Sequence, residues 1–234
     1  MKKILSLILA VGSFAAVAAG PSVELEKANI QPDNLVSLQN GAKLYVNYCM
    51  GCHSLEFQRY ERMAKDLEIP NEIVIQNLMV TGDKIGEQMK IAMDKKDAAE
   101  WFGAAPPDLT LVARVRKNGV DWLYSYLKGF YRDETRPYGV NNTVFPNVGM
   151  PHVMENLQGV QVKTDDGKLE LVEQGSMTPE EYDQAVLDIT NFLHYVAEPM
   201  KSDRREIGVY VLMFLLVLFG LAYLLKKEYW KDVH

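Results

Sequence analysis

Apolar positions recur at helical spacing in two long stretches, so the chain is predicted to be built mainly from helices. In the first, Leu35, Val36, Leu38, Ala42, Leu44, Tyr45 and Tyr48 lead from a cap at Asp33 into a pair of cysteines. In the second, Thr178-Pro179-Glu180-Glu181 supplies a cap, a first-turn proline and a capping-box glutamate. Tyr182, Ala185, Val186, Ile189, Phe192, Leu193 and Val196 follow, and Pro199 ends the run. A third helix is expected from Val112 to about Phe130, and Tyr131 to Met154, rich in Asn, Pro and Gly, reads as loop. Val160 to Val172 alternates around Asp166-Gly167, which predicts a β-hairpin. Ser54 to Trp101 shows no clear period.

Two further segments are apolar all round. Residues 1–20 begin with two lysines, run apolar from Ile4 to about Ala18, and carry small residues at Ala16, Ala18 and Ala19 where a signal peptidase can cut. The run is shorter than the ~20 residues a spanning helix needs, so it reads as an export signal. Ile207 to Leu225 carries no charge, and a helix of that length rises ~28 Å, about one hydrocarbon thickness. It has no polar face and is closed by Lys226, Lys227 and Lys231, with Tyr229 and Trp230 as interfacial aromatics. The expected organisation is a signal peptide over residues 1–19, an exported domain over 20–205, a transmembrane helix over 206–226 and a cytoplasmic tail over 227–234. The protein is then a single-pass resident of the bacterial inner membrane with its folded domain in the periplasm.

Composition sharpens this picture at two points. The chain has 234 residues and 48% apolar character, enough for one well-cored domain beside the two apolar ends. Its formal net charge is −6; without Lys2 and Lys3, and without the three lysines, Glu228 and Asp232 that follow Ile207, the exported domain carries −9. A domain of that sign steers basic partners, and no nucleic-acid partner is expected. Only two cysteines, Cys49 and Cys52, enter an oxidising compartment, so they are a redox pair or are consumed by other chemistry.

Cys49-Met50-Gly51-Cys52-His53 has the C-x-x-C-H spacing of covalent haem attachment. Two thiolates three residues apart reach the vinyl groups on one edge of a porphyrin, and the next imidazole is carried under the ring to the iron. A structural zinc site usually wants four Cys or His ligands, and no second such pair is present. A thioredoxin-like pair belongs in a βαβ setting, whereas here an amphipathic helix leads in and a membrane tail follows. A plain disulfide is the remaining rival, and haem is preferred because helix, motif and export agree. For the sixth ligand the residues leave His152, His194, His234 and the methionines open. Met150 is the best placed, in the rigid loop Val144-Phe145-Pro146-Asn147-Val148-Gly149-Met150-Pro151, with His152 its nearest rival and Met154 a weaker one.

From Asn40 to Arg205 the chain resembles the cytochrome c1 family in four motifs and the tail helix. These are Tyr48-Cys49-Met50-Gly51-Cys52-His53-Ser54; Ala105-Pro106-Pro107-Asp108-Leu109-Thr110 with Arg114 and Arg116; Phe145-Pro146-Asn147-Val148-Gly149-Met150-Pro151; and Asn191-Phe192-Leu193-His194-Tyr195-Val196-Ala197-Glu198-Pro199. The resemblance implies a mostly α fold: a class I cytochrome c-like haem domain with a small β-hairpin and one C-terminal transmembrane helix. It implies one covalently bound haem c on Cys49 and Cys52, iron ligands His53 and Met150, and a pocket that includes Pro106, Pro107, Arg116 and Arg114, Arg116 being the better match for a propionate partner. Gly41 and Tyr45 are expected to cross Phe192 and Tyr195. The intervals between motifs are short, so contacts made by the insertions of larger relatives do not carry over. The implied role is the electron-carrier subunit of ubiquinol–cytochrome c oxidoreductase, beside cytochrome b, taking an electron from the Rieske iron–sulfur protein and passing it to a cytochrome c. Methionine–histidine ligation raises the potential and leaves no open iron site, which suits electron transfer. A stand-alone membrane-anchored shuttle and a haem enzyme or gas sensor with a labile sixth ligand are the alternatives; co-purification of partner subunits and a carbon monoxide difference spectrum separate them.

Overall fold

The computed structural model of the chain describes residues 24–232; the export signal expected over 1–19 and the last two residues of the tail lie outside them. The first predicted helix is α1, Leu35–Tyr48. Its N-cap is Asn34 rather than Asp33: the Asn34 side chain accepts from the Ser37 N–H at 3.2 Å, because the first helical residue is Leu35 and the cap is the residue before it. The segment with no readable period, Ser54 to Trp101, folds into short pieces: β1 (Leu55–Arg59), α2 (Tyr60–Asp66), α3 (Asn71–Asn77), β2 (Gln88–Met89) and α4 (Lys95–Phe102). None is long enough to show a period, and β1 pairs with β2 through an irregular register.

The helix expected from Val112 to Phe130 is two, α5 (Val112–Val115) and α6 (Gly119–Lys128). Arg116 is extended and Asn118 adopts a left-handed conformation (φ 54°), which turns the chain between them. A Cβ on Gly119 would lie 2.4 Å from the Ala113 carbonyl oxygen, so only glycine lets α6 start this close to α5.

The region read as loop contains a short hairpin, β3 (Phe130–Arg132) with β4 (Val140–Asn142), in antiparallel register. After the single turn α7 (Glu155–Gln158) comes the predicted hairpin, β5 (Gly159–Lys163) and β6 (Leu169–Gln174), turning through Gly167 at φ 85°. The second predicted helix is α8, Pro179–Ala197, with both halves of the capping box made: Glu181 N–H to the Thr178 hydroxyl at 3.2 Å, and Thr178 N–H to the Glu181 carboxylate at 2.8 Å. The final helix, α9, runs Lys201–Tyr229, a turn or so longer at each end than the uncharged run. Its apolar side chains are exposed along its whole length, as a membrane anchor requires and a soluble core helix does not.

The core is organised by the crossing of α1 and α8. A Cβ on Gly41 would sit 2.1 Å from the Asp188 carbonyl oxygen and 2.7 Å from the Phe192 Cβ, so the two backbones touch where only glycine fits. Tyr45 packs on Phe192 with ring centroids 5.8 Å apart, and Tyr195 lies 6.2 Å beyond on the same face. Phe192, Ile189 and Val186 are fully buried, each worth about 2 kcal/mol relative to an exposed side chain. A polar seam fixes the rotation of the pair: the buried Asp188 carboxylate accepts from Ser37 Oγ (2.7 Å), Asn40 Nδ2 (2.6 Å) and Gln184 Nε2 (2.8 Å). This mostly helical frame, small hairpins and single apolar tail helix agree with the architecture implied by the sequence motifs. It also sets the C-terminal end of α1, and so the cysteines, against the middle of the core.

Candidate functional site

Helix α1 ends at the cysteines because the chain tightens there: the N–H groups of Cys49 and Met50 both reach the Tyr45 carbonyl, and those of Cys52 and His53 both turn back to Cys49. Met50 points inward as core filler, 1% exposed, which leaves the thiols on either side of it. The thiols of Cys49 and Cys52 are not joined to each other. Burial, and then the neighbouring Cys52, push the Cys49 thiol up to about 12, the environment of an apolar wall rather than of an activated redox thiol. Tyr45, one turn before the cysteines, donates its hydroxyl to the His53 carbonyl and so ties the end of the motif to the helix that introduces it.

His53 is held from a distant stretch of chain. Its Nδ1 lies 2.7 Å from the Pro107 carbonyl oxygen, an acceptor, so Nδ1 carries the proton and Nε2 keeps its lone pair for a metal. Burial lowers the imidazole pKa, opposed by that hydrogen bond, and the neutral ligand form results. Pro107 is placed by Asp108, whose carboxylate accepts from Glu56 N–H (2.8 Å) and Thr110 N–H (2.9 Å), while Leu109 N–H reaches the Ser54 carbonyl (3.0 Å). Pro106 lines a small cleft with Ser54 and Asp108.

Met150 belongs to a second assembly. On α6, Trp122 and Tyr126 stack at 4.7 Å, and Tyr126 meets Phe130 edge-on at 5.2 Å. The Tyr126 hydroxyl donates to the Met150 sulfur at 3.3 Å. The loop that carries the methionine is pinned by two buried asparagines: Asn142 Oδ1 accepts from Val144 and Phe145 N–H, Asn142 Nδ2 donates to the Tyr126 carbonyl, and Asn141 Oδ1 accepts from Asn147 N–H. Asn147 sits at φ 62°, a left-handed turn that asparagine tolerates. His152, the nearest rival ligand, stacks flat on Phe130 at 4.7 Å, and burial pushes its imidazole down to about 4. Met154 is core filler, 1% exposed.

The two arginines part company. The Arg116 guanidinium lies 3.5 Å over the Trp122 ring and 5.7 Å from that of Phe145, on the aromatic wall that carries Met150. Arg114 pairs with Glu198 at 3.2 Å, and Arg204 of α9 meets the same carboxylate at 2.9 Å. Among the described residues no cluster of three or more His, Cys, Asp or Glu side chains is placed to hold a bare metal ion. Sequence reasoning missed Asp108 as the clamp and Trp122, Tyr126 and Phe130 as the wall. The three aromatics did carry a signal, a spacing of four, although only Trp122 and Tyr126 share a face of α6 and Phe130 opens β3.

Paired thiols beside an imidazole with its Nδ1 engaged, together with a thioether and a guanidinium on one aromatic wall, form a donor set that fits a c-type haem and define the chain as a c-type cytochrome by chemistry. It belongs to the cytochrome C1 family, whose family model matches residues 31–233 and whose members are electron-transfer haem subunits of the bc1 complex. It is 52% identical to cytochrome c1 of Allochromatium vinosum over all of this chain and 99% of that protein. It is 46% identical to a protein of Nitrosomonas europaea named ammonia monooxygenase gamma subunit, again over all of this chain and 99% of the other. The cytochrome b/c1 of Bradyrhizobium diazoefficiens is 29% identical across 85% of this chain, which spans 33% of that longer protein.

Proposed function

We propose that this chain is the haem-bearing electron carrier of a quinol–cytochrome c oxidoreductase, with one haem c bound by thioethers to Cys49 and Cys52 and its iron held between His53 and Met150. The observation that supports the reading is the Nδ1 contact of His53 with Pro107, which leaves the other ring nitrogen available to a metal in a motif whose two thiols are not bridged to each other. When bound, the haem supplies a one-electron couple. The protein's part is to hold the ligands, exclude water and set the charge around them. In this assignment Arg116, over the Trp122 ring, would supply the cation for a propionate, Pro106 and Pro107 would line the pocket on the His53 side, and Arg114, paired with Glu198, would lie further out. With His53 and Met150 both given to the iron, no open coordination position would remain, which would favour electron transfer over substrate activation.

In this reading the electron comes from the Rieske iron–sulfur protein and leaves to a cytochrome c, beside cytochrome b. The haem domain lies on the periplasmic side of the bacterial inner membrane, anchored by α9 after removal of a signal over residues 1–19. The acidic balance of the domain favours a basic electron acceptor. The test is purification from membranes followed by haem staining of the denatured subunits. A stained band of this chain that co-purifies with a b-type cytochrome and a Rieske protein supports the assignment. A chain that carries no haem after denaturation, or that purifies alone, overturns it.

A further inference from the structure

We infer that Tyr126 tunes the iron ligand Met150 through a hydrogen bond to its sulfur, acting as a positioning residue that raises the reduction potential. This rests on the assignment of Met150 proposed above. The Tyr126 hydroxyl donates to Met150 Sδ at 3.3 Å, within the range for a bond to sulfur, and among the described residues it makes no other hydrogen bond. Tyr124, two residues earlier, turns its hydroxyl to Asp183 on α8 instead, so the two phenols of one helix serve different ends.

The aim of the Tyr126 hydroxyl is set by the wall. Trp122 is stacked on one face of the ring, and Phe130 meets it edge-on. The Tyr126 backbone carbonyl is taken by Asn142 Nδ2 at 2.8 Å, the same side chain that pins the loop running on to Met150. Ring and loop are thus positioned from one residue, and the phenol–thioether distance does not depend on a mobile side chain.

The chemical effect follows from what a thioether offers a metal. Sulfur has two lone pairs, and a proton donor at one of them draws electron density away from the other. A weaker sulfur donor stabilises the electron-poor ferric iron less than before, while the ferrous state, which needs less donation, loses little. The potential therefore rises.

The experiment compares four purified holoproteins: the full chain, Tyr126→Phe, Tyr124→Phe and Met150→Leu. Each is read by equilibrium redox titration and by the sulfur-to-iron charge-transfer absorption of the ferric haem. Tyr126→Phe keeps the ring, so the wall is preserved and only the hydroxyl is lost. The expected result is a more negative potential with the sulfur band retained but shifted, while Tyr124→Phe matches the unaltered protein. An unchanged or more positive potential in Tyr126→Phe overturns the inference, as does an equal shift in Tyr124→Phe. A sulfur band that persists in Met150→Leu overturns the ligand assignment itself. If that band is lost in Met150→Leu while Tyr126→Phe leaves the potential unmoved, Met150 stands and only the role of Tyr126 falls.

Discussion

The two sides of the site are built by different physics. The His53 side is a hydrogen-bonded construction: Tyr45 on the His53 carbonyl, Pro107 on its ring, and the Asp108 carboxylate bridging Glu56 and Thr110. The Met150 side is stacked: Trp122, Tyr126 and Phe130 form the wall, and two asparagines hold the loop against it. Directional bonds suit an imidazole, whose correct nitrogen must be selected, since a tautomer is chosen by an acceptor at one point. Stacked rings suit a thioether, whose position matters and which has no proton to place, because a dense wall resists displacement in every direction.

The most drastic way to break the comparison is to remove the two thiols proposed to anchor the haem. The double variant Cys49→Ala, Cys52→Ala is expected to abolish haem staining after denaturation entirely, since no other cysteine exists to form a thioether. Full-strength staining would refute the attachment.

Phe130→Ala breaks the stacked side alone. Phe130 is 1% exposed and touches both Tyr126 and His152, so its loss is expected to cost about 3–5 kcal/mol and to loosen the methionine while leaving haem attached. Denaturant titration gives the stability, and the low-spin spectrum reports the ligand. Asp108→Ala breaks the hydrogen-bonded side. Two backbone N–H groups lose their acceptor, an expected loss of about 1–3 kcal/mol, and the Pro107 carbonyl drifts from His53. A stability within error of the unaltered protein would show that water replaces the carboxylate.

Glu198→Gln sharpens the comparison from outside the site. Glu198 joins Arg114 to Arg204 at the start of the anchor, and both arginines are more than half exposed, so the expected cost is below about 1 kcal/mol and shrinks with added salt. A thermal midpoint that moves by more than a few degrees would show that this ion pair, and not packing, joins domain to anchor.

What the residues alone determined is local. The cysteine–histidine motif, the capping box at Thr178, the Asp166-Gly167 turn and the apolar tail are each encoded within a few consecutive residues, where propensity and period act directly. The glycine crossing was also readable, through the family resemblance, and Gly41 and Phe192 do meet.

Tertiary structure decided the rest, because it depends on partners far apart in sequence. The break at Arg116 to Asn118 splits what the apolar pattern shows as one helix, since the pattern continues while the backbone turns at a positive φ. The pieces between Ser54 and Trp101 are too short to carry a period, and their strands pair across some thirty residues. Arg114 and Arg116 stand two residues apart with the same chemistry. Only the fold sends one to an aromatic face and the other to a carboxylate just before the tail helix, because side chains on either side of a chain reversal face different surroundings.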